Sequence, residues 1–214
     1  VGPRDGRVSV VGGALNPLHG GRFLTALFAV SLGGCVAHAV LENDVRSAQW
    51  RARTLSTAAD PSLAYAALSA QLVELEALYQ RDPGDARVLG LLDHGYRLMA
   101  HGFIELRHLE ALGAGDSGRA GQEALLRADA EARARYYRER LPAGSAGSPP
   151  LRLESDFAET DAACARRDRA AYEQRLNALL AASETTPEER LERALSRRLA
   201  SARLMPNVAL RCKF

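Results

Sequence analysis

Between two proline-marked boundaries the chain carries an unbroken run of helical spacing, and this run limits the fold more than any other feature. Asp60-Pro61 supplies a helix start, with Asp as cap and Pro at the first helical position. Asp82-Pro83-Gly84 supplies the stop, because proline cannot continue the hydrogen-bond ladder. Between them lie Leu63, Ala66, Ala67, Ala70, Val73, Ala77 and Leu78, a stripe widened by Leu68, Leu72, Leu75 and Tyr79. Spacings of three and four predict a helix buried over a broad face.

The same pattern extends in both directions. Ala37 to Leu55 suits a helix with Trp50 near its end. A long helix is expected from about Asp85 to Leu112, carried by Leu89, Leu92, Tyr96, Met99, Phe103, Leu106 and Leu109. Gly90, Gly95 and Gly102 interrupt it, each at about 1 kcal/mol relative to Ala. Their expected use is close helix approach, or a bend near Gly102. Gly113 to Gly121 reads as a loop, and residues 122–140 as a third helix. Residues 142–150, Pro-Ala-Gly-Ser-Ala-Gly-Ser-Pro-Pro, read as a linker. Helical stretches follow at 155–166, 168–182 and 187–204. Pro187, Glu188 and Glu189 favour the last start through the helix dipole, and Pro206 ends that helix. Ala, Leu and Arg dominate the composition, and β-branched or aromatic runs are too scarce to place strands. The expected fold class is all-α. The expected organisation is a leader over 1–34, a helical region over 35–141, the linker over 142–150 and a C-terminal helical region over 151–214.

Helix pairs raise the question of repeats. A tetratricopeptide unit is about 34 residues, two helices often closing on Asp-Pro. Asp82-Pro83 fits that end. Leu89, Leu92 and Tyr96 then fall where the next unit wants large apolar residues, with Asp93 where Gly is usual. About one and a half units are visible, so the architecture expected is of tetratricopeptide-like, α-solenoid type.

Residues 23–34 form an uncharged run behind Arg22. It is short of the roughly 20 apolar residues a spanning helix needs, and it suits a signal-peptide core. It closes on Leu32-Gly33-Gly34-Cys35, the lipobox pattern of bacterial lipoprotein signals. The resemblance implies diacylglycerol on the Cys35 sulfur and cleavage before it, with further acylation for stable anchoring. The alternative is a buried cysteine closing an apolar core helix. Residues 1–20 make a long Gly-rich lead beginning with Val1, so the expectation is that the true start lies further in or that Val1 reflects an alternative start codon. Cys164 and Cys212 have one possible connectivity if the compartment is oxidising, but nothing in the sequence brings them together.

Of 28 basic and 26 acidic residues, three and one precede Cys35, leaving 25 of each. That balance gives no cationic excess for phosphate, so nucleic acid is set aside. His94, His101 and His108 stand seven apart, about 10 Å per step along one straight helix, too far for two of them to share a metal ion. The stripe reads as a solvated or satisfied face, or as a polar lining. Glu105 has closer helical spacing to His101 and His108. Arg133, Arg135, Tyr136, Tyr137 and Arg138 read as a helix face with its stems packed down. Without a nucleophile elbow, phosphate loop or metalloprotease motif, no enzyme activity, cofactor or metal is expected.

Three segments together resemble the T-component lipoproteins of TRAP (tripartite ATP-independent periplasmic) transporters. They are Leu72 to Pro83, closing on Arg81-Asp82-Pro83; Gly95 to Glu105, a tyrosine-bearing helix with a Gly102-Phe103 turn; and the tail. In the tail, Asp168 to Tyr172, Leu176 to Ala182, and Leu191, Ala194, Arg197, Arg198, Ala200 and Leu204 are similar to the family's last two helices. The likeness implies a lipid-anchored envelope protein, on the periplasmic face of the outer membrane. It would bind or channel a small organic solute with a periplasmic solute-binding subunit, and Tyr96, His101, Phe103 and Glu105 would line the ligand. The family carries more helix pairs where this chain has only residues 142–150. The shortening removes much of the concave binding surface, and it bears equally on the pore-forming homotrimer that docks the binding subunit. A second expectation is a helical scaffold lipoprotein that grips a protein partner.

Overall fold

The computed structural model describes the backbone of residues 20–145, 150–183 and 186–214, and side chains from His38 onward. The lipidation expected at Cys35 and the leader over 1–34 lie outside the described side chains, as do the linker's residues 146–149. Among the described residues every regular element is helical, so the fold is all-α, as the spacing predicts. The chain divides into two compact units, Val1–Glu42 and Asn43–Phe214. Helix α1 (Gly20–Ser56) gives the first unit its described part, and its residues from Asn43 onward belong to the second. No described helix is long and apolar enough to cross a membrane.

In the second unit α2 (Pro61–Arg81) begins and ends where the sequence places it. Asp60 Oδ1 accepts the Ser62 amide at 2.8 Å, capping one of the donors that a helix start leaves orphaned. Its buried face differs from the expected one. Ala64, Leu68, Gln71, Leu72, Leu75 and Leu78 turn inward, whereas Leu63 and Val73 remain 68% and 71% exposed. Apolar residues occupy most of this helix's circumference, so periodicity alone does not choose the inward stripe.

The long second helix is three pieces: α3 (Ala86–Leu98), a π-helical segment (Met99–Ile104) and α4 (Glu105–Gly113). Almost every residue from Leu92 to Ile104 is buried, making this rod the centre of the core. The expected loop over 113–121 is shorter than predicted, because Asp116 accepts the Arg119 amide at 2.9 Å and starts α5 (Ser117–Arg138) ahead of Gly118 and Gly121. Helix α5 packs on α3 and α4 through Ala120, Ala130, Ala134 and Tyr137.

Beyond residues 142–150 come α6 (Arg152–Ala165), α7 (Arg169–Ala181) and α8 (Arg190–Arg203), the last preceded by a 3-10 turn at Pro187–Glu189. These helices fold onto the first half within the same compact unit, with Leu153, Phe157, Leu191, Leu195 and Leu199 buried. Each such leucine contributes about 1.5–3 kcal/mol by burial. Pro206 opens a short helix, α9 (Pro206–Ala209), and a 3-10 turn ends at Cys212. Cys212 is disulfide-bonded to Cys164 at the end of α6, their Cα atoms 4.9 Å apart.

Candidate functional site

The π-helical segment sets the direction of the side chains on the central rod. A π-helix adds a residue to the turn, which rotates everything beyond it relative to an α-helical continuation, and such segments are frequent at functional sites. The three histidines therefore do not share one stripe. His94 lines a small interior cavity, and His101 opens into a surface cleft. His108 is buried, its Nδ1 2.8 Å from the Ala120 carbonyl and its Nε2 3.3 Å from Arg211 Nη1. In that arrangement Nδ1 carries the hydrogen and donates, while Nε2 accepts from the guanidinium.

The four expected lining residues go to three places. His101 and Glu105 line one cleft of about 350 Å³. Phe103 lines another of the same size with Tyr65, whose ring centroid lies 5.6 Å away. Tyr96 is buried beneath α5, where its hydroxyl donates to Glu76 Oε1 at 2.7 Å. Glu76 Oε2 accepts from Tyr137 at 2.5 Å, and Arg133 donates to the Tyr96 oxygen at 3.2 Å. Burial, followed by the Glu76 hydrogen bond, pushes the Tyr96 phenol up to about 12. The expected basic aromatic face divides here: Tyr137 is inward, while Tyr136 is exposed under the Arg140 guanidinium.

The His101 cleft is built from five helical elements, the π-helical segment, α4, α5, α6 and α8. Glu105 sits deep in it, ion-paired with Arg127 of α5, and Arg203 of α8 approaches its other oxygen at 3.8 Å. Arg203 donates to Asp161 Oδ1 and lies 4.4 Å from the centre of the Phe157 ring, a cation–π contact. Leu153, Phe157 and Leu199 underlie the cleft, each nearly fully buried. At the mouth, His101 stands between two carboxylates, with Nδ1 3.9 Å from Glu131 Oε1 and Nε2 3.7 Å from Glu154 Oε1. Both gaps exceed hydrogen-bond length. The second oxygen of Glu154 accepts from Arg97 at 2.9 Å.

Arg127, Glu131, Glu154, Phe157, Asp161 and Arg203 are absent from the sequence-based site. Their only sequence signal is pairing at i and i+4: Arg127 with Glu131, Phe157 with Asp161. The same spacing occurs on any solvated helix face.

Two further concavities flank the core. Leu55, Ala58, Leu63, Ala64, Ala67 and Ala70 line an apolar groove of about 430 Å³ between α1 and α2, edged by the Arg51–Glu74 ion pair at 2.7 Å. A cavity of about 40 Å³ holds His94 and Glu192 among Leu68, Leu75, Leu98 and Leu191. Burial lowers the His94 pKa and raises that of Glu192. Among the described residues no three His, Cys, Asp or Glu side chains converge as a metal site. In comparisons with protein-family models, curated proteins and solved structures, nothing matches this chain.

Proposed function

We propose that this chain is an envelope-anchored lipoprotein, similar to the T-components of TRAP transporters. In this reading it binds a small organic solute and docks a periplasmic solute-binding protein without catalysing a reaction. The observation that carries the reading is the polar-rimmed cleft that unites His101 and Glu105 with α5, α6 and α8. A concavity in which several polar groups converge supports a small-molecule site. Its lining contains carboxylates, guanidinium groups and an imidazole.

The Cys164–Cys212 disulfide supports an oxidising compartment, such as the bacterial periplasm. Lipid on Cys35 would then hold the helical domain at the periplasmic face of the outer membrane. Replacing Cys35 with Ser is expected to block leader cleavage and abolish fatty-acid labelling; labelled, cleaved Cys35→Ser protein would refute the anchor. The partner is tested by pull-down from detergent-solubilised envelopes. Recovery of a solute-binding subunit supports the transporter reading, and recovery of unrelated envelope machinery alone would end it.

The second reading is a scaffold that grips a protein partner, and the apolar groove between α1 and α2 favours it. An amphipathic helix laid into that groove is the expected mode. Leu63→Glu, on the exposed edge of the groove, would abolish partner capture in the scaffold reading and leave solute binding unchanged in the transporter reading.

A further inference from the structure

We infer that the edge formed by the α6–α7 turn and the tail docks on an anionic lipid surface. The inference stands apart from the solute reading and from acylation of Cys35, since the folded domain itself makes the contact. The Cys164–Cys212 bond brings together residues 166–173 and 210–214. They carry Arg166, Arg167, Arg169, Arg211 and Lys213 against Asp168 and Glu173. The 25 basic and 25 acidic residues from Cys35 onward are therefore unevenly placed: this edge takes five and two, leaving 20 against 23 elsewhere.

The cations here are also uncompensated. On the adjoining helices Arg175 pairs with Glu159 and Arg203 with Asp161. At the edge itself Glu173 is taken by Arg169 at 2.7 Å, and Asp168 accepts the Ala171 amide at 3.0 Å as the N-cap of α7. Among the described residues no carboxylate pairs with Arg166, Arg167, Arg211 or Lys213; Arg211 faces a ring nitrogen of His108 instead. Arg167 and Lys213 have φ of 59° and 54°, the only positive values among the described non-glycine residues. Glycine is the low-strain residue in that region, yet the chain holds a cation at both positions. Leu210 lies among these charges and is 71% exposed, and the Phe214 ring beside Tyr172 is 38% exposed. Val208 and Cys212, two residues to either side of Leu210, are buried, so the tail has an inner and an outer side. An acidic protein face would match the charges and leave Leu210 in water. A bilayer interface takes both, with cations against anionic headgroups and the leucine at the headgroup–acyl boundary.

The test titrates the purified full chain with phosphatidylcholine vesicles, with and without phosphatidylglycerol. The apolar run over residues 23–34 contributes alike to parent and variants, so each variant is compared with the parent on the same vesicles. Arg167→Gly/Lys213→Gly removes two charges where glycine relieves strain, so melting should be unchanged or higher. On phosphatidylglycerol vesicles this variant should bind about 25-fold more weakly, about fivefold for each cation lost at an anionic surface. Leu210→Ser, at an exposed position, should weaken binding about tenfold. Arg53→Gln/Arg135→Gln removes two exposed arginine charges elsewhere and should change nothing. Leu210→Trp in a Trp50→Phe background leaves one tryptophan, whose emission should shift to the blue with phosphatidylglycerol only. No preference of the parent for phosphatidylglycerol, an unmoved emission, or an equal loss in the Arg53→Gln/Arg135→Gln control would overturn the inference. Binding that follows the charges, ignores Leu210→Ser and is matched by soluble polyglutamate would assign the edge to an acidic polypeptide and end the membrane contact.

Discussion

Gly102 meets Leu195 across the junction of the two halves of the second unit: a Cβ built on Gly102 would lie 3.0 Å from the Leu195 Cδ1 and 3.3 Å from the Leu153 Cδ1. The absence of a side chain at this point in the π-helical segment lets α6 and α8 close on the central rod. That closure places Leu153 and Leu199 beside His101 and Glu105, so the same glycine that permits the packing also shapes the cleft.

Gly102→Ala is expected to destabilise the protein by about 1–3 kcal/mol, the usual cost of overpacking, despite the better helix propensity of Ala. Gly121, inside α5, is the control. Nothing lies within 4 Å of a Cβ there, and Ala should stabilise by about 0.5–1 kcal/mol. Urea unfolding of both variants distinguishes the cases; equal effects of the two substitutions would remove Gly102 from any packing role.

Tyr96 gives the fold an alkaline limit. Its phenol is raised from 10.0 to about 12, chiefly by burial and then by the bond to Glu76. A folded-state value above the unfolded one means that the contribution is whole below pH 10.0 and lost as pH rises toward 12. Tyr96→Phe is expected to flatten this limb of the stability profile, by on the order of 1–2 kcal/mol. Denaturant unfolding at stepped pH, with phenolate absorbance followed alongside, checks it.

His94 and Glu192 share the interior cavity and act with opposite sign. The His94 value is lowered from 6.5 by burial, so its neutral form is favoured on folding, and stability declines as pH falls below 6.5. The Glu192 value is raised from 4.5, so its contribution is complete below 4.5 and lost as pH rises through the raised value. The stability of His94→Leu relative to the parent should therefore grow on the acid side. That of Glu192→Gln should grow as pH increases from 4.5. A relative stability independent of pH in either variant would contradict its burial.

The starts of α2 and α3 were legible because local chemistry decides them: Asp60 and Asp85 each accept an amide of the next turn, and each is an N-cap. The π-helical segment was not, since its one-residue register change leaves the apolar spacing almost intact. Missing it is why His94, His101 and His108 read as one stripe, whereas Tyr96 and Phe103 were grouped with His101 and Glu105 by the family resemblance alone. Asp93, standing where a tetratricopeptide unit has Gly, shows another limit. It is nearly fully buried, held by Arg138 at 2.9 Å and by Arg97 at 3.6 Å. Only the arrival of α5 supplies the Arg138 partner, and no local pattern announces that contact.

Cys164 and Cys212 illustrate a long-range contact with a direct test. The bond closes a separation of 48 residues, and a cross-link of that span stabilises by about 4 kcal/mol through the unfolded chain. It also holds the tail, where Val208 is buried, the Phe214 ring lies 5.2 Å from Tyr172, and Asn207 bonds the Gly113 carbonyl at 3.1 Å. Reductant and the double variant Cys164→Ser/Cys212→Ser should lower the unfolding midpoint equally. Reductant should have no further effect on the double variant. If material from the native envelope instead titrates with both thiols free, the bond does not form in the cell. The oxidising compartment would then lose its support, while the cleft at His101, built from the π-helical segment, α4, α5, α6 and α8, would be untouched.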